Sequence, residues 1–174
     1  MATTLLEHRT KLKNNPSAYS RDISRCYETV VKHLKDAGYK RITYLRAKDL
    51  VEKYVNLIFE AQGNKPFFHI ESQEGLPFCW NSPSKGGWDI DHIKYEWGHL
   101  SSRNQNGNAA FCIRNLCLQS ARCNQHIQSS MNVKELLAYD GKLRKIIESN
   151  LKQREELFKS ARWLDLESEL EKWK

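Results

Sequence analysis

Four polar side chains in the segment 88–126 have the types and the spacing that metal-assisted hydrolysis needs. Asp91 and His92 are neighbours at the end of a predicted strand, and both enter one cleft if the strand ends there. Asn115 opens a second predicted strand, and Asn124 follows it nine residues later. Carboxylate and amide oxygens are hard ligands suited to Mg²⁺ or Mn²⁺, and a neutral imidazole beside such a metal can take a proton from water.

The same residues resemble the HNH, or ββα-metal, nuclease motif. The match consists of Asp-His-Ile at 91–93, Asn-Leu at 115–116 and Cys-Asn at 123–124, the last at the start of a predicted helix. The acidic Asp89 and the nine-residue step between the two asparagines are similar to the HNH domain of CRISPR effector nucleases. The resemblance covers roughly residues 76–130, and no family is evident for the helical flanks.

The resemblance implies a role for each matched residue. Asp91 and Asn124 would bind one divalent cation, Mg²⁺ or Mn²⁺. His92 would be the general base, and Asn115 would pin the loop that orients the imidazole. The implied reaction is hydrolysis of phosphodiester bonds in double-stranded DNA, leaving 5′-phosphate and 3′-hydroxyl ends. One such site cuts one strand, so cutting both strands of a palindrome would require a homodimer.

The cysteines near the motif predict that a structural zinc ion is absent. Many family members carry two Cys-x-x-Cys pairs that hold zinc around the site. Here Leu76 and Ser120 stand at the first position of each pair, which leaves Cys79 and Cys123. Two thiolates do not make a four-ligand zinc site.

Further polar residues near the motif have less specific assignments. The candidate phosphate contacts are Lys94, Arg114 and Arg122, and the candidate accessory groups are Asp89, His99 and His126. A lone arginine is usually a solvated surface group, so each cation also has a plain structural interpretation. His99 falls in a predicted loop, where a structural role is favoured. A helix would turn His126 roughly 200° away from Asn124, which favours a phosphate contact or a surface position over metal ligation.

Three regions must position these residues, and together they predict an α+β fold. Residues 1–65 predict a basic helical region, residues 66–131 the ββα-metal core, and residues 132–174 a helical packing or dimerisation segment.

The flanking helices have recognisable ends. The first helix is predicted to begin at Ser17 or Ser20 and to end near Gly38. The second is predicted to carry Leu45 on its apolar face and to end near Gly63. In the C-terminal region, Asn132 and Glu135 resemble a capping box. One long final helix is then predicted from Asp140, with an apolar stripe that runs from Leu143 to Leu164.

The core region carries short strand patterns. The segments 66–70 and 76–80 predict a hairpin, and the segments 88–93 and 111–118 predict further strands around a polar loop at 101–108.

The net charge of +7 is concentrated outside the motif. Residues 1–65 contain 13 basic residues (Lys and Arg) and 7 acidic residues (Asp and Glu), whereas residues 66–131 contain five basic and five acidic residues. The candidate duplex contacts in the basic region are Lys40, Arg41, Arg46 and Lys48. An ordinary solvated helix face explains these residues equally well.

Composition excludes several classes of protein and leaves others open. Five cysteines in 174 residues do not form a secreted disulfide framework, and no stretch has the length and apolarity of a membrane span. Together with this composition, the resemblance implies a cytoplasmic endonuclease of the restriction, mobile-element or phage type. The alternatives are a catalytically degenerate DNA-binding module of the same fold, a nuclease toxin and an RNA-directed nuclease.

Overall fold

The chain combines helices with a small antiparallel sheet, which confirms the α+β prediction at this level. The computed structural model describes residues 20–63, 67–68, 95–101, 112–120, 124, 131–139 and 141–174. The elements are α1 (Ser20–Asp36), α2 (Lys48–Glu60), β1 (Tyr95–His99), β2 (Leu116–Ser120), α3 (Val133–Tyr139), α4 (Gly141–Lys159) and α5 (Ala161–Glu171). Within these ranges, no helix combines the length and the apolarity that a bilayer crossing requires.

The two N-terminal helices end where the glycines predict. Gly38 and Gly63 follow α1 and α2 with φ angles of +106° and +67°, a left-handed conformation that glycine adopts without strain. The predicted burial of Leu45 is wrong, because α2 begins only at Lys48 and Leu45 is 94% exposed. The segment before α2 is a turn in which the Ala47 amide donates to the carbonyl of Thr43.

The sheet consists of β1 and β2, paired antiparallel so that Trp97 faces Leu118 and His99 faces Leu116. His99 is therefore the last residue of a strand, and its predicted loop position is wrong. The second strand begins at Leu116 instead of residue 111, because Ile113–Asn115 form a 3₁₀ turn. The predicted strands at 76–80 and 88–93 lie outside the described residues, as does most of the segment 66–70.

The sheet separates two apolar clusters. Leu116 and Leu118 pack into the larger cluster with α1, α2 and α5, whereas Cys117, pointing to the opposite face, packs with α3 and α4. Phe67 and Phe68 are fully buried in the smaller cluster, and the Phe67 amide donates to the carbonyl of Leu118. The helical flanks therefore cover both faces of β2.

In the C-terminal region, the predicted capping box is confirmed and the predicted number of helices is wrong. The Asn132 amide donates to Glu135 Oε2 at 2.7 Å, and the Glu135 amide donates to Asn132 Oδ1 at 2.9 Å, as in a capping box. The single long helix is wrong, because Ser160 adopts an extended conformation and caps α5 by accepting from the Trp163 amide at 3.3 Å. The break turns Trp163 into the core and leaves Leu164 52% exposed.

Candidate catalytic site at the end of the sheet

The side chain of Asn115 holds the loop that follows β1. Its Oδ1 accepts from the Ser101 amide at 2.9 Å, and its Nδ2 donates to the Ser101 carbonyl at 2.9 Å. The main-chain carbonyl of Asn115 accepts from the Leu100 amide, also at 2.9 Å. These three bonds fix the backbone immediately after His99, so the loop held by Asn115 begins at His99.

His99 lies half-buried at this end of β1, against a second imidazole. Its ring packs edge-on against His33 of α1, with ring centroids 5.0 Å apart and an interplanar angle of 76°. Burial lowers the pKa of His99, which keeps its ring neutral at neutral pH. Burial, reinforced by the charge of His99, lowers the pKa of His33 to about 4. A neutral imidazole held in one orientation can accept a proton from water.

The residue before His99 is a glycine because two side chains approach its backbone. A Cβ atom on Gly98 would lie 2.9 Å from Asn124 Oδ1 and 2.9 Å from Gln119 Nε2, which is closer than real Cβ contacts. The close approach brings the amide oxygen of Asn124 to the strand that ends at His99. Asn115 and His99 lie at the same end of the two-stranded sheet. Because Gly98 pairs with Cys117 and His99 pairs with Leu116, the Asn124 oxygen lies on the Cys117 face of the sheet, whereas the His99 side chain lies on the Leu116 face.

The buried thiol of Cys117 lies on the same face of the sheet as the Asn124 oxygen. It donates to the Gly98 carbonyl at 3.6 Å and accepts from Gln119 Nε2 at 3.3 Å. Burial raises the pKa of Cys117, so the group is a protonated thiol at neutral pH and packs as an apolar side chain.

Several predicted site residues lie outside the described residues, and their assignments stay predictions. They are Asp89, Asp91, His92, Lys94, Arg122 and His126, together with Cys79 and Cys123.

The contact between His99 and His33 is not predicted from the sequence. A signal for His99 was present, because Tyr95, Trp97 and His99 alternate as in a half-exposed strand. No local signal could have paired His99 with His33, since 66 residues separate them in the sequence.

The predicted phosphate contacts have different environments. Arg114 is exposed and forms an ion pair with Glu167, to whose carboxylate its Nε and Nη2 donate at 2.7 and 2.6 Å. These hydrogen bonds raise the pKa of Arg114 and lower that of Glu167. Lys40 lies exposed in the turn after α1.

A cleft of about 340 Å³ lies between the start of α2 and the C-terminal end of α5, and its lining includes the carboxylates of Asp49 and Glu169. Arg46 and Lys48 line it together with Lys172 and Trp173, and the guanidinium of Arg46 lies 5.7 Å from the centre of the Trp173 ring. Arg41 contacts the same end of the chain through a 3.0 Å bond to the Lys172 carbonyl. The structure thus places the basic residues of the α1–α2 segment beside cations of the C-terminal region.

The described residues supply only part of a metal site. No group of three or more His, Cys, Asp or Glu side chains suited to a metal occurs among them. Asn124 offers an amide oxygen, and the carboxylate ligand would have to come from Asp91, which lies outside the described ranges. Of the cysteines that can be placed, Cys112 is exposed and Cys117 is buried.

Comparison with known proteins gives no relative for this chain. No protein-family model matches it, and neither the curated proteins nor the solved structures contain a significant match.

Proposed function

We propose that this chain is a metal-dependent endonuclease of the HNH type that hydrolyses phosphodiester bonds of double-stranded DNA. The observation that carries the proposal is the pair of hydrogen bonds from Asn115 to the Ser101 peptide, directly after an imidazole at a strand end. The resemblance implies that Asn115 pins the loop that orients His92, and the proposal is supported by the finding that Asn115 does hold a loop, the one that follows His99.

Two histidines are candidates for the general base: His92, which the resemblance implies, and His99, which precedes the loop held by Asn115 and whose Nε2 atom is buried in this structure. His99 is neutral at neutral pH, and the loop after it is held by Asn115, which limits the orientations its ring can adopt. In this role His99 would take a proton from the attacking water, and His33 would keep the ring in place by packing against its edge.

A divalent cation, when bound by Asp91 and Asn124, would supply positive charge at the scissile phosphate and at the leaving oxygen. The protein's own cations would position the duplex. Arg46, Lys48 and Lys172 surround one cleft, and the N-terminal third carries most of the excess positive charge. Binding through phosphate contacts predicts an affinity that falls steeply as the salt concentration rises.

The test is incubation of the purified protein with supercoiled and linear DNA in Mg²⁺, Mn²⁺ or EDTA, followed by end mapping. We expect cleavage with either metal, 5′-phosphate ends and no cleavage in EDTA. His99→Ala and His92→Ala are compared at equal protein concentration. Loss of a general base lowers the rate by about 10²- to 10⁴-fold, so the variant with that loss identifies the base. Cleavage that persists in EDTA would refute the metal-dependent mechanism. If both alanine variants cut DNA at the wild-type rate, neither His92 nor His99 is the general base.

One observation favours a second candidate, a DNA-binding module of the same fold without catalysis. The residue before His99 is Gly98, whereas the resemblance has a carboxylate directly before the catalytic imidazole. If Asp91 does not reach the site, the metal lacks its acidic ligand. DNA binding that is unaffected by Mg²⁺, with intact DNA after long incubation, would support this candidate over the nuclease.

A further inference from the structure

We propose that Arg154 of α4 is a positioning residue for the candidate site, acting through the turn that carries Asn115. The expected effect of Arg154 on catalysis rests on the proposed nuclease function, whereas its effect on the Asn115 turn does not. Arg154 Nη2 donates to the Arg114 carbonyl at 2.9 Å and to the Leu116 carbonyl at 2.7 Å. The two acceptors flank Asn115 on either side, so one guanidinium group spans the residue whose side chain holds the loop.

Arg154 is buried without an acidic partner among the described residues. The residue is 2% exposed, and its acceptors among the described residues are main-chain carbonyls instead of carboxylates. Its Nε and Nη1 atoms are buried and find no hydrogen-bond partner in the described part of the chain. Burial lowers the pKa of Arg154, because removing the guanidinium from water destabilises its charged form. The ring of Phe158, 5.2 Å away, is a weak partner by comparison.

A buried cation without an acidic partner is expensive, and an apolar side chain of similar size is often tolerated equally well in its place. Local rules that are broken at a cost in stability mark functional positions more often than structural ones. What Arg154 provides in return is the orientation of the backbone on both sides of Asn115.

Every main-chain carbonyl from 113 to 116 accepts a hydrogen bond, three of them from the flanking helices. Tyr54 of α2 donates to the Ile113 carbonyl at 2.7 Å, and Arg154 of α4 donates to the carbonyls of residues 114 and 116. The carbonyl of Asn115 accepts from the Leu100 amide in the loop after β1. Arg154 therefore binds the turn that carries Asn115, and the Asn115 side chain binds Ser101, two residues after His99. The C-terminal helices, predicted as a packing or dimerisation segment, thereby support the candidate site through the Asn115 turn.

The test compares Arg154→Met with the matched variant Arg144→Met in the full chain. Arg144 lies on the same helix, but it is exposed, and among the described residues it pairs with Glu148 one turn away. Three quantities are measured for each variant: the melting temperature, kcat and KM for cleavage of linear DNA in Mg²⁺, and the hydrogen-exchange rate of the Ser101 amide. That amide donates to Asn115 Oδ1, so its exchange reports the loop without requiring activity.

For Arg154→Met we expect kcat to fall about 10- to 100-fold, because displacements of about 1 Å at a catalytic group have effects of this size. KM should stay within about twofold, and Ser101 should exchange at least about tenfold faster. The melting temperature should fall by roughly 2–12 °C, because the Arg114 and Leu116 carbonyls lose their donor. Arg144→Met should match the wild type in all three quantities.

Two results would overturn the inference. One is a folded Arg154→Met protein with unchanged kcat and unchanged Ser101 exchange. The other is a loss of kcat that only follows a large fall in melting temperature, with Ser101 still protected. If the methionine variant does not fold, Arg154→Lys replaces it, and partial recovery of Ser101 protection is the supporting result. A wild type that does not cut DNA refutes the proposed function, whereas the exchange of Ser101 still decides whether Arg154 holds the turn.

Discussion

Adding one methyl group at Gly98 should disturb the candidate site more than the fold. In Gly98→Ala the new Cβ would lie 2.9 Å from Asn124 Oδ1 and from Gln119 Nε2, about 0.5 Å inside ordinary van der Waals contact. Gln119 is fully buried and donates to Cys117 Sγ, so it has little room to move. Overpacking of this kind costs about 1–3 kcal/mol of unfolding free energy. For a chain of this length that corresponds to a melting temperature lower by roughly 2–10 °C.

The matched control is Gly141→Ala at the start of α4, where a Cβ would meet no atom within 4 Å. Because alanine favours the helix, this variant should be as stable as the wild type or more stable by up to about 1 kcal/mol. Both variants are compared by thermal unfolding and by the initial rate of DNA cleavage in Mg²⁺. We expect Gly98→Ala to lose about tenfold or more in rate at a temperature where it is fully folded, because Asn124 must shift. A Gly98→Ala protein with unchanged stability and rate would refute the close approach of Asn124 to β1.

Two further predictions concern the imidazole pair and the pinned loop. Since the pKa of His33 is about 4 in the folded chain and 6.5 in the unfolded chain, the unfolded state takes up the proton first. The contribution of His33 to stability should therefore be fully present above pH 6.5, be lost as the pH drops to about 4 and change little below that. His33→Phe should remove about 2 kcal/mol of this dependence, allowing for solvent screening of a half-buried side chain, and denaturant titration at pH 7 and pH 4.5 measures it. Asn115→Asp keeps an acceptor for the Ser101 amide but sets a carboxylate against the Ser101 carbonyl. It should cost about 1–3 kcal/mol and lower kcat with little effect on KM for DNA, and an unchanged kcat would argue against the pinning role of Asn115.

Local signals in the sequence were sufficient wherever a feature depends on residues within about four positions. The end of α1 at Gly38 and the reciprocal cap of Asn132 and Glu135 were predicted correctly, because each is decided by neighbouring backbone groups. The continuation of the final helix through Ser160 was predicted wrongly. Its apolar stripe fits one helix, but the packing of Trp163 against Phe158 and Tyr54 favours a break.

The residue types at 91, 92, 115 and 124 by themselves determined which chemistry to expect, because ligand and base preferences are properties of single side chains. Which imidazole stands at the pinned loop was decided only in the tertiary structure. His33 reaches His99 across 66 residues, and Arg154 reaches the Asn115 turn across about 40. Such contacts depend on how helices pack across the two faces of β2, which no pattern of neighbouring residues encodes.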